Sequence, residues 1–213
     1  PLGCFEQLYH LTDMAKSDPH FPDPHFDYEH NILKNIPGLT DKKSLDDFER
    51  IQAIKNILNL ESDPVTGRFD ITHLRAIHAR IFQTIYPWAG EFRRVNIRRS
   101  ESYYFAAVQF IEASLNATFA KLTAEDYLKG LDADAFASRA AYYLGELNAI
   151  HPFRDGNGRT QREFIRQLAT GVGYRINWGR VTRTQMVEAS IESHSRGKNE
   201  AFAALILSAM SLL

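Results

Sequence analysis

The chain has 213 residues, 44% of them hydrophobic, and a formal net charge of −1. That length suits one large domain, and that composition supports a packed core rather than a disordered chain. The balanced charge gives no global electrostatic case for binding nucleic acid or an anionic membrane. A single cysteine, Cys4, excludes an intrachain disulfide; with no signal-peptide pattern, this points to a reducing compartment.

The first 30 residues read as an irregular arm ahead of a domain spanning 31–213. Within "SDPHFPDPHFD" (17–27) the tetrapeptide DPHF occurs twice, and its prolines forbid a regular helix. His20 and His25 could bind a metal, but an extended arm wrapped over the domain is the simpler reading. Helical signals then dominate. Residues 41–59 repeat near 3.6, with Leu45, Phe48, Ile51, Ile54 and Leu58 on the apolar stripe. "DPVTGRFD" (63–70) is a turn, and Asp70 is placed to cap a helix running to about Ile85, with Leu74, Ile77 and Ile81 on one face. Residues 88–105 lack a helical period. Val95 and Ile97 alternate with polar neighbours there, which predicts a short hairpin. Further helices are expected over Ala106–Leu122, Ala133–Ile150, Gly158–Val172, 182–193 and 199–212. The final apolar run, "AFAALILSAMSLL" (201–213), is too short to span a bilayer and reads as a helix docked on the body. The expected class is all-α, a helical bundle with one small β-hairpin.

The most chemically loaded stretch is "HPFRDGNGRTQREF", His151 to Phe164. Pro152 disfavours helical geometry in the residue before it, so His151 sits at a helix exit, where an imidazole can enter a cleft. Neutral histidine is suited to removing a proton near neutral pH. Phe153 is expected to pin the loop to the core. Gly156, Asn157 and Gly158 permit converging backbone N–H groups, and the loop runs into a helix N-terminus, which attracts anions. Asp155 offers a hard oxygen ligand for the Mg²⁺ that accompanies phosphates. Arg159, Arg162 and Arg166 recur at helical spacing. They are expected to face away from the core and to clamp phosphate through their planar forks. Each feature alone is commonplace: a histidine before proline, a Gly-Asn-Gly turn, a solvated arginine face. Their order together reads as base, metal ligand, anion nest and clamp.

"HPFRDGNGR" resembles the Fic family signature without departure, and Arg162 is the second arginine expected three residues on. "NILKNIPGLTD" (31–41), "YPWAGEFRRVNI" (86–97), "FASRAAYYLGELNAIHPF" (136–153) and "GYRINW" (173–178) extend the resemblance over roughly 27–210, to Fic toxins and to the Fic domains of bacterial secreted effectors. The resemblance implies the all-α Fic fold with a β-hairpin flap. It implies an enzyme that transfers AMP from ATP to a hydroxyl of a target protein, with Mg²⁺ as cofactor and ATP as co-substrate. Carried over, His151 is the general base and Asp155 holds Mg²⁺. Gly156, Asn157 and Gly158 form the anion hole, with the Asn157 side chain on the phosphates. Arg159 and Arg162 bind the polyphosphate, Arg162 nearest its γ end. The flap that would pair with an extended target segment covers Arg94, Val95, Asn96, Ile97, Arg98, Arg99, Tyr104 and Phe105. Tyr174, Trp178, Met186 and Ser190 are candidates for an adenosine pocket, against the plain alternative that such aromatics are core.

Many Fic proteins carry an inhibitory helix of pattern (Ser/Thr)-x-x-x-Glu-(Gly/Asn). The nearest match, "TQMVEA" (184–189), ends in Ala and lies at neither end of the domain, so it is read as accidental. The resemblance then implies either an unrestrained enzyme or a separate small antitoxin that sets a glutamate against Arg162. The expected setting is the bacterial cytoplasm, or a host or recipient cell after translocation. Expected targets are a type II topoisomerase subunit for a toxin and a host small GTPase for an effector, with no direct nucleic-acid or membrane partner. Two alternatives stay open: the same fold transferring UMP, phosphocholine or phosphate, and a non-catalytic nucleotide-binding module.

Overall fold

Asp70 starts a helix as its position predicts: its Oδ1 accepts the His73 N–H at 2.8 Å. Asp41 does the same for the helix before it, accepting from Ser44 at 2.8 Å. The structure, a computed structural model, describes residues 16–17, 22–100 and 103–213. Cys4, His20 and the first DPHF copy lie outside these. The described α-helices are α1 (Lys42–Ser62), α2 (Ile71–Phe82), α3 (Ile111–Ala124), α4 (Ala133–Ile150), α5 (Asn157–Thr170), α6 (Arg183–Arg196) and α7 (Glu200–Ala209). None is long and apolar enough to cross a membrane.

α4 is the central element. Phe136, Ala140, Leu144 and Leu147 are buried, as their spacing predicts, and the helix packs on α3, α5, α6 and most extensively α7. Small residues allow that approach: a Cβ on Gly145 would lie 2.3 Å from Asn199 Oδ1, in the turn between α6 and α7. α2 packs between α1 and α5. It ends at Phe82 rather than Ile85, because the Ile85 and Tyr86 N–H groups both turn back to the Phe82 carbonyl. The predicted stripe of α1 is rotated. The buried residues are Leu45, Glu49, Ala53, Ile57 and Leu60, while Ile51 is 58% and Leu58 42% exposed. A carboxylate lies on the buried face because its charge has a partner on α5, which periodicity cannot register.

Short strands complete the fold. β1 (Lys16–Ser17), β4 (Ile97–Ser100) and β5 (Tyr103–Tyr104) form one antiparallel sheet in the order β1-β4-β5, with Lys16 opposite Arg98 and Arg98 opposite Tyr104. This contains the expected hairpin. β2 (Phe26–Asp27) pairs with β3 (Ile32–Leu33), and β6 (Tyr174–Ile176) with β7 (Met210–Leu212). The last pair corrects the expected terminal helix: α7 stops at Ala209, and the following residues extend along β6, whose backbone edge satisfies their peptide groups. The helix expected from Ala106 begins at Ile111, after a 3₁₀ turn over Val108–Phe110. In the arm, the second DPHF copy folds onto the domain: Asp23 pairs with Arg154, and the His25 ring stacks on Trp88 at 5.0 Å.

Candidate active site

α4 ends at Ile150, and His151 caps it in a left-handed conformation (φ 48°, ψ 62°) with Pro152 next in the chain. His151 Nδ1 lies 3.2 Å from the Asn148 carbonyl. A carbonyl only accepts, so the proton resides on Nδ1 and Nε2 keeps a free lone pair. Burial pushes the imidazole pKa down to about 3, against the opposing pull of the Asn148 carbonyl. The ring is therefore neutral near pH 7. Arg93 fixes its backbone: Nε donates to the His151 carbonyl at 2.8 Å, Nη2 to the Ile150 carbonyl at 3.2 Å and also to that of Ala106, and Nη1 to the Val95 carbonyl at 2.9 Å. One buried guanidinium thus ties the helix exit to the hairpin. In the sequence Arg93 is one of two adjacent arginines, with no local signal that sets it apart.

The loop after His151 is held from three sides. Phe153 is buried and stacks on His78 of α2, with centroids 3.9 Å apart. His78 Nδ1 accepts from the Gly90 N–H at 2.8 Å, which leaves the proton on Nε2 to donate to the Asp155 carbonyl at 3.1 Å. The Asn157 carboxamide closes the loop on itself, accepting from Phe153 N–H at 2.9 Å and donating to the Phe153 carbonyl at 2.8 Å. The Asn157 side chain therefore shapes the loop. Gly156 has φ +76°, and a Cβ there would lie 2.3 Å from Phe82 Cε2, so both conformation and space demand glycine. Thr160 makes the first backbone bond of α5, to Gly156. The N–H groups of Asn157, Gly158 and Arg159 thus remain outside the helical ladder, in residues that line the cavity.

The arginines correct the sequence reading. Arg159 and Arg162 are only 5% and 3% exposed, because α5 is buried on nearly all sides. Arg159 Nη2 lies 2.5 Å from Glu49 Oε1 and 3.4 Å from Asp155 Oδ1, its guanidinium stands over the Phe82 ring at 4.6 Å, and its Nη1 is buried without a hydrogen-bond partner among the described residues. Burial opposes the Arg159 charge, but Glu49 and Asp155 outweigh it and hold its pKa above the usual value. Tyr86 donates its hydroxyl to Glu49 Oε2. Burial, with Glu49 nearby, pushes the Asp155 carboxyl up to about 6. Arg166 is a structural residue, bonded to Glu163 at 2.7 Å and to the Leu60 carbonyl at 3.0 Å. Glu49 has one signal in the sequence: its spacing of four from both Leu45 and Ala53 places it on their face.

One cavity gathers these groups. His151, Asp155, Gly156, Asn157, Gly158, Arg159 and Arg162 all line it, with Arg99 and Phe105 of the hairpin on its wall. The Phe105 ring stacks on His151 at 3.8 Å. Met186 and Ser190 line it too, with Leu144, Asn148, Val187 and Phe202. Ser190 exchanges bonds with Asn148, its carbonyl accepting at 3.1 Å and its hydroxyl donating at 3.0 Å. Tyr174 and Trp178 do not line this cavity. Tyr174 donates its hydroxyl to the Leu131 carbonyl at 3.0 Å, and the Trp178 indole donates to the Arg162 carbonyl at 3.0 Å, facing a smaller cavity behind the arginines. Tyr174 lies on β6 and Trp178 in the 3₁₀ turn that follows it, and the apolar lining of the main cavity comes instead from α4, α6 and α7.

Of the other hairpin residues, Arg94 pairs with Glu91 at 3.2 Å and Arg98 donates to the Tyr104 hydroxyl at 3.2 Å, while Val95, Ile97 and Phe105 share a small core. Asn96 Oδ1 accepts the Val108 N–H at 2.9 Å. Glu188, the glutamate of the "TQMVEA" match, is exposed. No cluster of three or more His, Cys, Asp or Glu suited to a metal occurs among the described residues. A lone carboxylate beside an anion nest fits Mg²⁺, which keeps several waters and shares phosphate oxygens, and does not fit a zinc cage.

Residues 68–169 match the Fic/DOC family. The chain is 44% identical over 184 residues to the protein adenylyltransferase VbhT of Bartonella schoenbuchensis, covering 86% of this chain and 38% of that protein's length. It is 36% identical over 166 residues to the probable protein adenylyltransferase y4lH of Sinorhizobium fredii, covering 78% of this chain and 84% of that one. Among solved structures, it is similar to the BepC protein of Bartonella tribocorum, a VirB-translocated effector with bound AMPPNP, at a TM-score of 0.82 and 27% identity, over 89% of this chain and 97% of that one.

Proposed function

This chain belongs to the Fic/DOC family, and from that premise we infer that it transfers AMP from ATP to a hydroxyl side chain of a target protein. The observation that carries this reading is a neutral histidine with a free Nε2, set in the same cavity as a helix N-terminus and two buried arginines. His151 Nε2 accepts the proton of the target hydroxyl as its oxygen attacks the α-phosphorus, and the bond to the β-phosphate bridging oxygen breaks to release pyrophosphate. The incoming phosphates bring negative charge beside the imidazole, which favours its protonated form and works against the effect of burial. The N–H groups of Asn157 and Gly158 orient the phosphate oxygens. Arg159, through its unpartnered Nη1, and Arg162 bind the polyphosphate. Asp155 would hold Mg²⁺, which when bound supplies charge neutralisation to the phosphates. Met186 and Ser190 receive the adenosine, and the hairpin, with Arg98 and Arg99, positions the target segment.

A protein partner carrying a glutamate restrains the enzyme by pairing with Arg162. The modified protein is a type II topoisomerase subunit in a bacterial setting and a small GTPase in a host cell. The test is incubation with α- or γ-labelled ATP and Mg²⁺ in bacterial and eukaryotic lysates, with His151→Ala as control. Label on a protein band from the α position only, lost in the control, is expected. Label from the γ position only would sink AMP transfer in favour of phosphate transfer.

A further inference from the structure

The Arg159 guanidinium touches two carboxylates of different elements, the buried Glu49 and the cavity-lining Asp155. Arg159 Nη2 lies 2.5 Å from Glu49 Oε1 on α1 and reaches Asp155 Oδ1 in the loop by a longer bond of 3.4 Å. The Tyr86 hydroxyl fixes the second oxygen of Glu49, and the Phe82 ring supports the guanidinium plane. Glu49 and Arg159 are nearly inaccessible, so neither of their charges is screened by water, whereas Asp155 lines the cavity. The three ionised groups Glu49, Asp155 and Arg159 sum to one negative charge.

We propose that Glu49 is a positioning residue that takes the closer share of Arg159, keeps its contact with Asp155 long, and so leaves the Asp155 carboxylate available to the divalent cation of the nucleotide. Without Glu49, the anion left to Arg159 is Asp155, four residues back in the loop, and the present 3.4 Å contact can close to a full pair. A full ion pair there would neutralise the carboxylate and set a positive group where the cation must approach. Glu49 thus acts through Arg159 and touches neither cation nor nucleotide. The inference rests on the reading of Asp155 as the residue that holds the cation.

The test uses Mn²⁺ as the probe, with free Mn²⁺ read by electron paramagnetic resonance at saturating AMPPNP, so that turnover plays no part. Wild type, Glu49→Gln, Arg159→Gln and the double variant form a cycle. Glu49→Gln is expected to weaken Mn²⁺ binding roughly tenfold, the scale of losing a partner that orients a metal ligand. In the Arg159→Gln background the same change is expected to cost less than about twofold, because nothing remains to collapse onto Asp155. An equal loss in both backgrounds, or no loss in the first, overturns the proposal. Asp155→Asn addresses the underlying reading: Mn²⁺ binding unchanged by it means that Asp155 does not hold the cation, and both ideas fall together. If Glu49→Gln lacks a cooperative melting transition, Tyr86→Phe takes its place in the cycle. It keeps the Glu49 charge and removes one hydrogen bond, with an expected loss of about threefold confined to proteins that retain Arg159.

Discussion

The Phe105 ring stacks on the His151 imidazole, with centroids 3.8 Å apart and planes 17° from parallel. The hairpin is therefore part of the environment that sets the state of the histidine, as well as a ledge beside the cavity. Burial is the main cause of the low His151 pKa, so Phe105→Ala is expected to move it up towards the ordinary histidine range. Nuclear magnetic resonance titration of the imidazole protons reads this directly. Transfer is expected to fall on the order of tenfold, since the base loses one of the walls that orient it.

The same burial links stability to pH. His151 has a folded pKa of about 3 against a reference value of 6.5. Between these values the unfolded chain binds a proton that the folded chain does not, so this group's contribution is full above about pH 6.5 and is lost as pH falls towards 3. One such group gives a slope of about 1.4 kcal/mol per pH unit within the window. Urea melts across that range should show a shallower slope for His151→Gln than for wild type, by about one proton. Equal slopes would mean that the imidazole is solvated in the folded protein.

Gly156 combines a left-handed φ of +76° with a Cβ position 2.3 Å from the Phe82 ring. Gly156→Ala is expected to cost about 2 kcal/mol or more in chemical denaturation, because strain and overlap add. Adding Phe82→Leu should recover only the overlap part. Full recovery by the double variant would show that the backbone conformation costs nothing.

Met186 lines the cavity from α6, a helix separate from the loop. Met186→Trp is expected to fill that space and raise the KM for ATP roughly tenfold, with kcat changed much less, because the reacting end of the nucleotide is untouched. Steady-state kinetics with the identified target separates the two parameters. A fall confined to kcat would place the adenosine elsewhere.

The helices and the loaded loop were legible in the sequence because their determinants are local. Asp70 caps its own helix, the apolar stripe of α4 repeats at 3.6, and Pro152 ends α4 with His151 as its cap. Errors arose where a distant partner decided. β7 forms because the β6 edge is there to be paired, although its residues continue an apolar run. Tyr174 and Trp178 follow the loop closely in the chain but point to other partners. Leu144, Val187 and Phe202 look like ordinary core residues until three helices meet around one cavity.

The sequence by itself determined the chemistry on offer: a histidine at a helix exit, a glycine-bounded turn into a helix N-terminus, and two arginines one turn apart. Those follow from residue type and near-neighbour spacing, which fix backbone geometry over a few peptide units. Only the tertiary structure decided how the charges are shared. It turned the arginine face inward, brought Glu49 across from α1 to Arg159, and set Arg93 on the carbonyls behind His151. Coulomb and hydrogen-bond energies in a buried site depend on separations of a few ångströms between residues far apart in the chain, and those separations come into being only when the helices pack.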